Sequence, residues 1–169
     1  MNTARPGCRA ETHPGRPKGE GDGMMNPEAE RKAAHVIAQG YKTGDFRPLF
    51  VMLAEDCVWS SQWRFDRLEG RDAVINYFRS KGKTLREPGD GMSVSVAELT
   101  GHHLKPGDPV PSFFREGRPC VLLSQVIDGE EVGTLAIPHC NEEGLIERID
   151  MALPAVFHLR AWEENGSGA

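Results

Sequence analysis

Between Cys57 and Phe65 the side chains Trp59, Ser61, Trp63 and Phe65 alternate with Val58, Ser60, Gln62 and Arg64, and a period of two puts the first set on one face of a strand. Two indoles flanking one hydroxyl make a wall against which an apolar or aromatic molecule can lie, with a single orienting hydrogen bond. They do not make an acid–base pair. The other residues able to do chemistry are scattered. His102 and His103 are adjacent and point apart on an extended chain, so a shared metal is not expected. His139 and Cys140 split across two strand faces in the same way, whereas a cysteine–histidine nucleophile needs its two side chains in contact. There is no glycine-rich phosphate loop, no HExxH and no GxSxG. Neither a metal nor a cofactor is expected.

Several short elements must position the aromatic strand. Asn26-Pro27-Glu28 is a helix start, with a cap residue, proline at the first helical position and an acid in the first turn. Ala33, Val36, Ile37, Gly40 and Tyr41 then form one apolar stripe, which ends at Thr43-Gly44. Asp45 caps a shorter helix in which Phe46, Leu49, Phe50 and Leu53 repeat the spacing. After the strand a turn runs from Asp66 to Glu69, and Gly70 opens a third helix with its stripe on Val74, Tyr77, Phe78 and the stem of Lys81, closed by Gly82.

From there the period changes to two. Glu87 to Gly91 reads as a loop and Met92 to Leu99 as a strand. Thr100 to Gly117, with Pro106, Gly107, Pro109 and Pro111, reads as a long connection of the kind that forms lids or partner contacts. Strands are expected over Pro119 to Ile127, Val132 to His139 and Leu145 to Leu153, the last stopped by Pro154. Asp128-Gly129 is a strong hairpin signal. A two-residue turn there pairs Ile127 with Glu130 and places Val121, Leu123 and Gln125 opposite Ala136, Thr134 and Val132 on one face. Cys120, Leu122, Ser124 and Val126 share the other face with Ile137, Leu135, Gly133 and Glu131, so Cys120 and Cys140 point to opposite faces and a disulfide between them is not expected. Both faces are apolar enough to be covered, one by the helices and the other by a second subunit.

Composition narrows the function class. The 169 residues suit one domain with a real core, and 38% hydrophobic with 27% charged residues fits a globular protein. Residues 1–26 lack hydrophobic periodicity and are expected to be disordered, as are 163–169. Met24-Met25 just before the helix start suggests a second start site, with a basic regulatory arm as the alternative reading of the segment. The net charge is −5; four basic against three acidic residues in the tail leave about −6 for the remainder of the chain, which offers no footprint for nucleic acid. Four cysteines without CxxC spacing read as buried thiols in a reducing compartment, and no run is long enough for a membrane span. A cytoplasmic location without membrane or nucleic-acid partners follows as the expectation.

The order of helix, short helix, strand, turn, helix and a four-strand run resembles the nuclear transport factor 2-like superfamily, which includes ketosteroid isomerases and SnoaL-like polyketide cyclases. The resemblance is carried by Gly44-Asp45, by Leu53-Ala54-Glu55-Asp56-Cys57-Val58-Trp59, by Leu68-Glu69-Gly70-Arg71 before Ala73-Val74-Ile75-Asn76-Tyr77-Phe78, and by Glu143-Gly144-Leu145-Ile146. It spans about Pro27 to Leu153. It implies an α+β fold in which a strongly bent mixed or antiparallel sheet wraps around three N-terminal helices as a cone with a central pocket. It also implies a homodimer through the outer sheet face. The isomerase-type catalytic aspartate, tyrosine and neutral acid would fall on Ser61, Ile37 and Ala136, so that chemistry is not expected.

The same resemblance turns Trp59, Ser61, Trp63, Tyr77, Leu123, Gln125, Val132, Thr134, Ala136, Ile149 and Met151 inward and Asp150 outward. A pocket of Trp59, Ser61, Trp63, Tyr77, Leu123, Gln125, Thr134 and Met151 would bind a small apolar or aromatic molecule, without metal or cofactor. Each polar member could equally be a satisfied core group, and the tryptophans plain core. Two alternatives remain. One is an isomerase, dehydratase or cyclase whose acid–base residue has moved to Asp150, Tyr77 or a histidine of the 100–117 segment; the other is a dimeric interaction module with a filled cavity.

Overall fold

A computed structural model describes residues 26–61, 67–85 and 92–162. The expected tail and C-terminal end, the loop Glu87 to Gly91, and Trp63 and Phe65 of the aromatic strand lie outside the described residues. Helix α1 spans Pro27–Thr43, and its cap behaves as its sequence predicts: Asn26 Oδ1 accepts the Ala29 N–H at 3.2 Å. Gly44 ends it in the left-handed conformation (φ 74°), donating its N–H to the Gly40 carbonyl at 2.8 Å. Helix α2 is a single turn, Arg47–Phe50, and Asp45 accepts both the backbone N–H and the guanidinium of Arg47.

Strand β1 (Leu53–Ser61) follows, then β2 (Arg67–Glu69) and α3 (Arg71–Leu85). Two expectations are corrected here. Arg67 to Glu69 is not only turn: it pairs antiparallel with β1, Trp59 opposite Leu68. Gly82 does not close α3, which continues to Leu85; its role is close approach, because a Cβ there would stand 2.6 Å from the Gly44 carbonyl oxygen.

The remaining strands are β3 (Ser93–His102), β4 (Pro119–Ile127), β5 (Glu130–Cys140), β6 (Ile146–Ala152) and β7 (Phe157–Ala161). They form a curved, open, mixed sheet of order β2-β1-β6-β5-β4-β3-β7, parallel only between β1 and β6. The fold is α+β, as expected. The β4–β5 register agrees pair for pair with that calculated from the two-residue turn, Val121 with Ala136 through Ile127 with Glu130. Asp128 (φ 51°) and Gly129 (φ 81°) both take positive φ, the type I′ geometry that matches strand twist. Strand β7 was not legible as a strand. The chain crosses the sheet through a 3₁₀ turn, Pro154–Val156, and pairs with β3 at the far edge, so Pro154 ends β6 without ending the sheet. Gly133 makes room for that crossing: a Cβ there would meet the Pro154 ring at 2.8 Å.

Two apolar clusters lie on opposite faces. The helix-side core joins Ala33, Ile37, Leu49, Val74 and Phe78 to Trp59, Val121, Ala136 and Ile149. The outer cluster joins Leu99, Cys120, Leu135, Ile137 and Ala152 to Phe113 and Phe157. The chain's own 103–118 connection therefore covers part of the outer face. Cys57, Cys120 and Cys140 are buried free thiols, Cys120 in the outer cluster and Cys140 in the inner. Burial pushes both of the latter up to about 12, so they stay protonated at neutral pH. Among the described residues no helix is long and apolar enough to cross a membrane.

Candidate functional site

The helix-facing side of β1, β4, β5 and β6 does not close completely on the helices. A cavity of about 290 Å³ remains between them. Strand β1 supplies Trp59 and Ser61, β4 supplies Leu123 and Gln125, β5 supplies Thr134 and Val132, β6 supplies Met151, and α3 supplies Tyr77. Alternation places these side chains together: parallel pairing sets Trp59 beside Ile149 and Ser61 beside Met151, and the hairpin sets Leu123 opposite Thr134 and Gln125 opposite Val132. Of the eight residues expected to line a pocket, seven do so, and Trp63 lies outside the described residues. Ser124 also borders the cavity, although its register assigns it to the other face.

Three lining residues were not anticipated. Tyr41 belongs to the α1 stripe and Met92 precedes β3; each was visible as an apolar position, but its depth depends on how the helices sit. Lys81 is one helical turn beyond Tyr77, so the spacing that brought Tyr77 inward was a usable signal for it.

The walls are aromatic. The Trp59 and Tyr77 rings lie 4.4 Å apart at 37°, and Tyr77 meets Phe78 edge-on at 5.1 Å. Trp59 is 5% exposed, and its Nε1–H is buried without a hydrogen-bond partner. Burial first, then the neighbouring Tyr77 hydroxyl through charge and hydrogen bonding, push the Tyr41 phenol well above its ordinary value, so it remains neutral.

Asp150 stands elsewhere. It pairs with Ile137 on the outer face, where Arg148 Nε lies 2.9 Å from its Oδ1 and His139 Nε2 lies 2.8 Å from its Oδ2. Arg118 Nη1, which can only donate, also meets the His139 ring, at Nδ1 and at 3.1 Å from Nε2. Arg118 also approaches Glu30 of α1 at 3.7 Å, and Arg115 pairs with the same carboxylate at 2.6 Å. The chain Glu30–Arg118–His139–Asp150 fixes the 103–118 connection and does not reach the cavity lining. His102 packs edge-on against Phe114 and His103 against His158, so the adjacent pair does diverge.

No family model matches the sequence, and no curated protein is significantly similar to it. Solved structures do match. A protein of unknown function from Mesorhizobium loti, described as nuclear transport factor 2-like, superposes with a TM-score of 0.52 at 17% identity, over 75% of this chain and 92% of its own. The chain has the nuclear transport factor 2-like fold. A steroid delta-isomerase from Pseudomonas aeruginosa aligns at 15% identity over 78% of this chain and 81% of its own, with a TM-score of 0.46. At these identities the likeness shows the fold alone. Within the nuclear transport factor 2-like frame, Ser61 lines the cavity while Ile37 and Ala136 are sealed in the helix-side core, so none of the three positions offers an ionisable group.

Proposed function

We propose that this protein binds a small apolar or aromatic molecule in the cavity between its helices and sheet, without an acid–base reaction of the isomerase type. The observation that carries the reading is the aromatic wall: the Trp59 and Tyr77 rings, 4.4 Å apart, border an open volume into which Ser61, Gln125 and Thr134 bring orienting polar groups. Among the described residues the lining holds no carboxylate and no histidine, which argues against acid–base catalysis there, and the open volume argues against a filled interaction module. Asp150, the weak catalytic candidate, is tied up with Arg148 and His139; Tyr77 is better read as wall than as acid. The buried free thiols suit a reducing cytoplasm.

The neutral fluorophore N-phenyl-1-naphthylamine should bind saturably at one molecule per chain. Thr134→Trp or Gln125→Trp, each placing an indole in the cavity, should weaken it by about tenfold or more while the protein stays folded. Unsaturable binding, or binding that both variants leave unchanged, would overturn the proposal.

Assembly as a homodimer through the outer sheet face goes with this reading. Phe113 and Phe157 already cover part of that face, and the exposed Val126 lies on its hairpin end, so we expect the contact there. Sedimentation equilibrium at micromolar concentration should return twice the chain mass; a monomer would refute it.

A further inference from the structure

The cavity carries a charge that an apolar ligand alone does not explain. Lys81 of α3 lines it and is half-buried, and among the described residues Lys81 makes no ion pair. Among the described residues no aspartate or glutamate borders the cavity. An ammonium beside a low-dielectric apolar cavity attracts an anion more strongly than one in open water. The neighbouring polar groups favour the same ligand polarity. Ser61, Gln125 and Thr134 can donate as well as accept.

Size narrows the choice further. About 290 Å³ stands near the lower end of the ~300–1,000 Å³ usual for small-molecule sites, which suits two or three rings rather than a larger polycycle. A single cation matches a single negative charge. A phosphate monoester, with up to two charges and three acceptor oxygens, would call for more cationic groups than the lining holds.

We propose that the ligand is a small aromatic or apolar carboxylic acid bound as its monoanion, with the carboxylate at Lys81 and the ring system against Trp59 and Tyr77. This rests on the binding function proposed above and specifies its ligand class.

The test uses two nearly isosteric probes, naphthalene-1-acetic acid and naphthalene-1-acetamide, competing with N-phenyl-1-naphthylamine at neutral pH. The acid should bind about tenfold more tightly than the amide, as a charge-assisted hydrogen bond predicts. Lys81→Met and Lys81→Gln should abolish the difference between the acid and the amide, while Lys81→Arg keeps the preference. Equal binding of the two probes by the unaltered protein, or a preference that survives in both neutral variants, would overturn the proposal. If the fluorophore binds and both probes displace it equally, the cavity reading stands and only the anion assignment fails. If neither the fluorophore nor the probes bind, both readings fall together.

Discussion

Glu30→Ala is expected to destabilise the protein by about 3–5 kcal/mol, the usual loss when one partner of a buried ionic cluster is removed. Glu30 lies in the first turn of α1 and is 2% exposed. Its two oxygens face Arg115 and Arg118, whose side chains are 21% and 10% exposed. Removing the carboxylate strands two guanidinium groups that cannot shed their charge. Burial already pulls Arg118 below its usual value, and Glu30 is the leading influence working against that pull, so its loss makes the desolvation uncompensated. Arg118 is also the donor to His139 Nδ1, which extends the effect to the outer-face pair of His139 and Asp150. Urea denaturation measures the loss. A change below about 1 kcal/mol would show that the arginines rehydrate on their own. Glu30→Gln, which keeps acceptor capacity but no charge, should fall between the two.

The second large effect belongs to Phe46. Its ring is packed edge-on to Tyr41 at 5.1 Å and tilted against Phe78 at 4.9 Å, where α1, α2 and α3 meet. Glycine at position 40 admits it, since a Cβ there would lie 2.3 Å from the ring, and a Cβ at Gly82 would lie 3.5 Å from it on the other side. Phe46→Ala should therefore cost about 3–5 kcal/mol through lost burial and the cavity left behind. The same geometry predicts a sign reversal. Gly40→Ala alone should destabilise by about 1–3 kcal/mol, because the ring is held by Tyr41, Phe78 and Gly82 and cannot retreat. In the Phe46→Ala background, with the ring gone, the alanine should instead stabilise by about 0.5–1 kcal/mol through its better helix propensity. A double-mutant cycle followed by denaturation reads the coupling directly. Additive single effects would mean that the ring and Gly40 do not compete for the same space.

The local features that proved readable in advance are those in which the residues themselves carry the geometry. Asn26 and Pro27 announce the start of α1, and Asp128-Gly129 accepts positive φ and so fixes the hairpin, its register and the face of every residue from Val121 to Ala136. From that register, together with the resemblance to a known fold, came eight of the twelve described residues that border the cavity. Element ends read less well. Gly82 looked like a stop and is a contact, because a glycine signals absent bulk without saying whether a turn or a neighbouring backbone needs it.

What stayed hidden depends on contacts between distant parts of the chain. Strand β7 has no clean alternation; it exists because the chain crosses the outer face at Gly133 and finds β3 unpaired. The long connection read as a lid or a partner contact; it packs Phe113 onto the outer face and is anchored by Arg115 to a glutamate 85 residues earlier. Nothing near Glu30 or Arg118 signals their meeting. The aromatic strand shows the same division. Alternation placed Trp59 and Ser61 on a common face, since side-chain direction along a strand follows from the backbone alone. Whether that face is packed solid or borders a cavity depends on where α1 and α3 come to rest, and so does the presence of Lys81 at its edge; their packing is a sum of many weak contacts from the whole chain.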